Sequence, residues 1–250
     1  MTASTKAPYE IASSFWRSSV GKNVRLKASD GHELGAYVAM PMGEPIAGLI
    51  VIQEAFGVNA HIRSVADTYA KDGFLAIAPA IFDRSERGVE LGYEGADREK
   101  GLAWARAVNP SDAVKDLEAA LEYSQTHTPK KCGVIGYCLG GTLAWLAATR
   151  LKVGAVGGYY GGQIACYGDE NTRCPVMLHF GTLDKHIPKQ DIDRVQAAHP
   201  EVQIFWYDAD HGFNCNDRSA YNAAAAKQAR ERSLEFLKKN LAESTRPPFC

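Results

Sequence analysis

Gly136-Tyr137-Cys138-Leu139-Gly140 joins a β-rich run ending at Ile135 to a helical run beginning at Leu139. It has the form G-x-S-x-G with cysteine in the serine position, a pattern in which small residues let a strand turn sharply into a helix and expose the nucleophile at the bend. The reading that follows is covalent catalysis by a thiol. A free thiol has a pKa of about 8.5, so its nucleophilic thiolate is scarce at neutral pH unless a base and a helix N-terminus favour it.

Outward from this stretch, short β-type runs recur at residues 23–28, 34–41, 47–53, 74–78, 132–135, 153–159, 175–180 and 202–207. From the third run onward most are continuously apolar, as strands covered on both faces are. Helix-like apolar spacing fills 61–72, 111–126, 139–150, 189–198 and 221–241. Two opening strands joined by Asp30-Gly31, followed by alternating β and α segments, predict a mostly parallel sheet of about eight strands with an antiparallel edge, flanked by helices. The polar, glycine-bearing stretch 82–107 is the expected insertion over an active site.

The chain has 250 residues, 46% of them hydrophobic, which suits one α/β domain over 1–250 with residues 1–20 as an N-terminal arm. A net charge of −1 and no long basic run give no electrostatic reason to expect nucleic acid or a membrane surface as partner. A small molecule is the expected partner, and a monomer the expected state. No apolar stretch reaches the roughly 18 residues of a membrane span, and the first ten residues lack a secretory core, so a cytoplasmic protein is expected. The cysteines at 132, 138, 166, 174, 215 and 250 form no C-x-x-C pair. Reduced thiols are expected, with neither a metal nor another cofactor.

Open parallel sheets carry reactive groups at the C-terminal ends of their strands. Cys138, Asp184 in Gly181-Thr-Leu-Asp184, and His211 in Asp210-His-Gly-Phe213 each follow such a strand. Nucleophile, acid and histidine in that order match the α/β-hydrolases. In those roles His211 takes the thiol proton, and Asp184 fixes its tautomer and supports the imidazolium. His179 and His186 are weaker rivals for the base. Backbone N–H groups of Leu139 and Ala55 are the expected oxyanion donors, a feature contributing roughly 3 to 4 kcal/mol per donor.

With these residues placed, the chain resembles the dienelactone hydrolase family from about residue 24 to 241. The resemblance rests on Gln53-Glu-Ala-Phe-Gly-Val-Asn59, Gly136-Tyr-Cys-Leu-Gly-Gly141, Gly158-Tyr-Tyr-Gly161, Gly181-Thr-Leu-Asp184 and His211-Gly-Phe213. It implies an α/β-hydrolase fold and a Cys138-Asp184-His211 triad acting on lactones or small esters without a cofactor. It also implies that Glu54 lies beside Cys138 and controls its protonation, that Arg84 faces the pocket to bind a substrate carboxylate, and that Tyr160 lines the pocket or reaches the oxyanion. One position departs from the family pattern: a second arginine is expected four residues after the histidine, and here Cys215 stands. Arg218 and Arg87 are the candidates to replace it. Dienelactone hydrolysis is the expected activity; hydrolysis of uncharged or bulkier esters, and a non-catalytic binding role, are the competing readings.

Overall fold

The computed structural model describes residues 21–242; the N-terminal arm expected at 1–20 lies outside them. Eight strands form one sheet: β1 (Lys22–Lys27), β2 (Glu33–Ala39), β3 (Ala47–Ile52), β4 (Phe74–Pro79), β5 (Cys132–Tyr137), β6 (Val156–Tyr159), β7 (Val176–Gly181) and β8 (Gln203–Tyr207). Their spatial order is β1-β2-β4-β3-β5-β6-β7-β8. β2 runs antiparallel to both its neighbours, and every pairing from β4 to β8 is parallel. Every residue of β3, β4, β5, β6 and β7 is buried, as expected for strands with helices on both faces.

Six α-helices flank the sheet: α1 (Ala60–Lys71), α2 (Gly95–Ala107), α3 (Pro110–His127), α4 (Leu139–Arg150), α5 (Lys189–Ala198) and α6 (Ala223–Leu241). Asparagine caps start three of them. Asn59, Asn109 and Asn222 each accept a hydrogen bond from a first-turn N–H, satisfying donors that a helix leaves unpaired. α4 is apolar nearly all round and buried from Gly140 to Thr149, so its N-terminus is held rigidly at the end of β5. Among the described residues no helix is long and apolar enough to cross a membrane.

Two sequence expectations change. β6 starts at Val156 rather than 153, because the chain is still approaching the sheet there, with the Gly154 N–H on the Cys132 carbonyl at 2.8 Å. Within the polar stretch 82–107, for which no helix is expected, α2 is a regular helix of 13 residues whose one buried residue is Gly101.

Arg84 is also placed differently from the expectation. It ends a 3-10 turn, Ile81–Arg84, and its guanidinium holds Asp116 of α3 through two hydrogen bonds of 2.8 Å, with a further ion pair to Asp30 at 3.0 Å. The Asp116 side chain is fully buried among the core-facing residues of α3. A charge there needs a hydrogen-bonded counter-ion, and Arg84 supplies it. Arg84 therefore ties the turn after β4 to α3 and is not directed to a substrate. Arg84→Met is expected to cost about 3 kcal/mol in urea denaturation, since it leaves Asp116 buried and unpaired. The KM for an anionic substrate should be unchanged.

Candidate active site

Cys138 sits between β5 and α4 with φ 54° and ψ −114°, a strained conformation for a residue with a side chain. Backbone hydrogen bonds hold it on both sides: the Cys138 N–H donates to the Tyr159 carbonyl at 3.0 Å, and the Gly140 N–H to the Gln53 carbonyl at 3.1 Å. A Cβ on Gly140 would lie 2.5 Å from the Ile52 carbonyl oxygen, so only glycine lets the helix start approach β3 this closely.

The thiol, the imidazole and a carboxylate meet there. The Sγ of Cys138 is 3.1 Å from Nε2 of His211, whose Nδ1 is 2.7 Å from Oδ2 of Asp184. The other Asp184 oxygen accepts the backbone N–H of His186 at 2.8 Å. Burial alone would lower the pKa of His211, but the Cys138 charge and the Asp184 hydrogen bond outweigh it and raise it to about 10. Burial likewise pushes the Asp184 carboxyl up, yet the hydrogen bonds from His211 and His186 prevail and leave it below the usual carboxylate range. His211 is thus held as an imidazolium between the Cys138 sulfur and the Asp184 carboxylate.

His179 is excluded as the base. It lies inside β7, bonded to the Tyr207 hydroxyl at 2.8 Å and to Ser233 at 2.9 Å, and burial holds its pKa down to about 3. His186 stands at the rim, its ring 5.6 Å from that of His211.

Leu139 and Ala55 line a recess of about 140 Å³ with Cys138 and His211, roofed by Leu102, Ala105 and Arg106 of α2. The backbone N–H groups of Leu139 and Ala55 have no acceptor among the described residues. Beyond His211 a wider, polar cleft of about 380 Å³ is lined by Tyr93, Arg98, His186 and Arg218.

Glu54 follows β3 between Gln53, bonded to the elbow, and Ala55, in the recess. It is buried; one oxygen meets Arg218 at 3.4 Å and the other, Oε2, has no partner. Burial disfavours the Arg218 charge, but the Glu54 carboxylate outweighs it and strengthens the cation. Gly212 has φ 81°, and a Cβ there would lie 2.2 Å from an Arg218 nitrogen, so this glycine makes room for the guanidinium. Arg218 thus brings a positive charge to the region where the Cys215 departure removed one. Arg87 lines a separate cleft with Tyr37, Arg63 and Asp83.

Tyr160 is placed otherwise than expected. It is fully buried, lines neither cavity and sets its ring 5.0 Å from His211. It backs the imidazole and offers no substrate surface. Burial, reinforced by Glu54, pushes its phenol well up, so the hydroxyl keeps its proton.

Arg98 was not singled out from the sequence. The four-residue spacing of Arg98, Leu102 and Arg106 was its available signal, because it places all three on one helical face. Metal-ligand spacing is also absent from the sequence, yet donor atoms of Glu54, His61 and Cys215 lie within 4.8 Å of one another.

Residues 34–241 match the family model described as the dienelactone hydrolase family. The chain belongs to the dienelactone hydrolase family. A carboxymethylenebutenolidase of Pseudomonas putida is 34% identical, covering 86% of this chain and 95% of that protein. A candidate carboxymethylenebutenolidase of Synechocystis sp. is 35% identical, over 84% of this chain and 93% of its own length. In structure, a candidate dienelactone hydrolase from Klebsiella pneumoniae superposes with a TM-score of 0.73 at 25% identity, covering 87% of this chain and 98% of that one. The eight-stranded α/β-hydrolase fold of this family member agrees with the architecture read from its sequence.

The His211 proton gives a direct check on the pairing. By histidine NMR, His211 should titrate well above the ordinary imidazole range, toward about 10, and Cys138→Ala should bring it down because the supporting thiolate charge is gone. An unchanged titration would rule out the ion pair.

Proposed function

We propose that the protein is a cysteine-dependent hydrolase that opens a carboxylate-bearing lactone, the carboxymethylenebutenolidase reaction. The observation that carries this reading is the hydrogen-bonded line from Cys138 through His211 to Asp184 at a strained strand-to-helix turn. It is supported by the family relationship and by the names of relatives that are 34% to 35% identical.

The steps follow from the placement. The Cys138 thiolate attacks the lactone carbonyl, and the oxygen that becomes negative is received by the N–H groups of Leu139 and Ala55. Collapse of this tetrahedral species breaks the ring C–O bond. The released oxygen takes the proton held by His211 and stays tethered to the acyl group. Water then attacks the thioester while His211 accepts one of its protons; collapse expels the Cys138 thiolate, and the carboxylic acid formed releases its proton to solvent as the carboxylate. Asp184 keeps the imidazole oriented throughout. To Glu54, which precedes the recess residue Ala55 and leaves Oε2 unpartnered, we assign control of the Cys138 protonation as substrate enters.

The wide cleft carries both charges, with Glu94, Asp210 and Asp217 beside Arg98 and Arg218; the two guanidinium groups are its partners for a substrate carboxylate through paired hydrogen bonds. This favours an anionic lactone over an uncharged ester, despite the cysteine at 215. A thiolate nucleophile needs a reducing compartment, and the whole site is built from one chain; these considerations favour a cytoplasmic enzyme active as a monomer.

The test is a substrate panel in which a carboxylated dienelactone is compared with neutral aryl esters. Cys138→Ala should abolish turnover with unchanged circular dichroism, and retained activity would sink the assignment. Arg218→Met should raise KM for the dienelactone by about tenfold or more, equivalent to about 1.4 kcal/mol, while the neutral esters change little. Equal effects on both would remove Arg218 from carboxylate binding.

A further inference from the structure

Glu54, His61 and Cys215 come from three separate places: the end of β3, the first turn of α1 and the loop after β8. All three are buried, and one donor atom from each lies within 4.8 Å of the other two. Two of these side chains carry buried atoms with no partner, Oε2 of Glu54 and Nε2 of His61. A buried carboxylate oxygen and a buried imidazole nitrogen left without partners in one cluster are costly unless something is meant to satisfy them.

The surrounding groups prepare the donors. Nδ1 of His61 lies 3.1 Å from the side-chain amide oxygen Oδ1 of Asn216, an acceptor that places the proton on Nδ1 and so leaves the Nε2 lone pair free. Asn59, the cap of α1, donates to the Tyr93 hydroxyl at 3.0 Å and fixes that ring close to the site. A divalent ion there brings two charges that match one carboxylate and one thiolate.

We infer that Glu54, His61 and Cys215 form a binding site for a thiophilic divalent cation of the zinc type. One carboxylate oxygen, one imidazole nitrogen and one sulfur are a fitting set for tetrahedral zinc, with water in the fourth position. Zinc holds its ligands at about 2.0 to 2.3 Å, so the 4.8 Å spacing closes with side-chain shifts of about 1 Å. Binding displaces the Cys215 proton to solvent and is stronger at higher pH. Arg218 sits on the other Glu54 oxygen and leaves Oε2 open. The bound ion ties up Glu54 and thereby silences hydrolysis; this consequence, unlike the binding itself, rests on the role given to Glu54 above.

The binding is tested on the full chain, stripped with chelator and carrying Cys138→Ser so that the nucleophile contributes no zinc affinity. Zinc chloride titrated by calorimetry should bind one per chain. His61→Gln and Cys215→Ser should each weaken it by about tenfold or more. Cobalt(II) bound to the Cys138→Ser protein should show a thiolate-to-cobalt charge-transfer band, a signature that needs no further variant. No zinc binding, no such band, or an affinity unchanged in either folded variant overturns the site. With Cys138 present, zinc should inhibit turnover, chelator should restore it, and Cys215→Ser should keep its basal activity and escape inhibition. Equal inhibition of Cys215→Ser overturns the regulatory consequence. A protein that binds zinc as described but hydrolyses no panel substrate contradicts the proposed function and leaves the metal site standing.

Discussion

A residue with a side chain held at φ 54° and ψ −114° stores conformational energy, and Cys138 can stay there only because its surroundings leave it no alternative. Tyr159 and Gln53 fix the backbone from the two neighbouring strands, while α4 is sealed into the core immediately behind. That constraint sets everything downstream. It aims the sulfur out of the sheet toward His211 and turns the first amide of α4 toward the recess. It also fixes the distance between β3 and β5 on which the placement of Ala55 and Glu54 depends.

Charge is organised around the same point in layers. Asp184, reached by His211 and by the His186 amide, balances the imidazolium, which stands 3.1 Å from the Cys138 sulfur. On the opposite side Glu54 meets Arg218, and the phenol of Tyr160, kept neutral by burial and by Glu54, adds no further charge. Each anion in the site thus has a cationic neighbour, as a low-dielectric environment demands. The pairing of Glu54 with Arg218 is looser than that of Asp184 with His211, at 3.4 Å against 2.7 Å, and leaves one carboxylate oxygen uncommitted.

The parts of this arrangement visible in the sequence are those written in local pattern. Cys138 and Asp184 each follow a buried, continuously apolar strand and His211 follows the half-buried β8, so the parallel topology brings all three to one edge. What was not visible depends on partners distant in sequence. Arg84 reads as a loop cation until Asp116, among core-facing residues such as Ala113 and Leu117, is seen to require it. α2 lacks an apolar stripe because it packs mainly through Gly101, and periodicity has little to detect in it. The proximity of Cys215 to Glu54 and His61 has no spacing signature, since the three lie on unrelated elements.

The sparse packing of α2 bears on how this scaffold can diversify. Of its 13 residues only Gly101 is buried, yet Arg98, Leu102 and Arg106 all face the two cavities beside the thiol. New specificity is commonly gained at a cost in stability. On α2 that cost is small, because side chains that border the cavities are not among those that fill the core. This wall can be rewritten residue by residue, while the strands and the buried helix that hold Cys138 in place are left undisturbed.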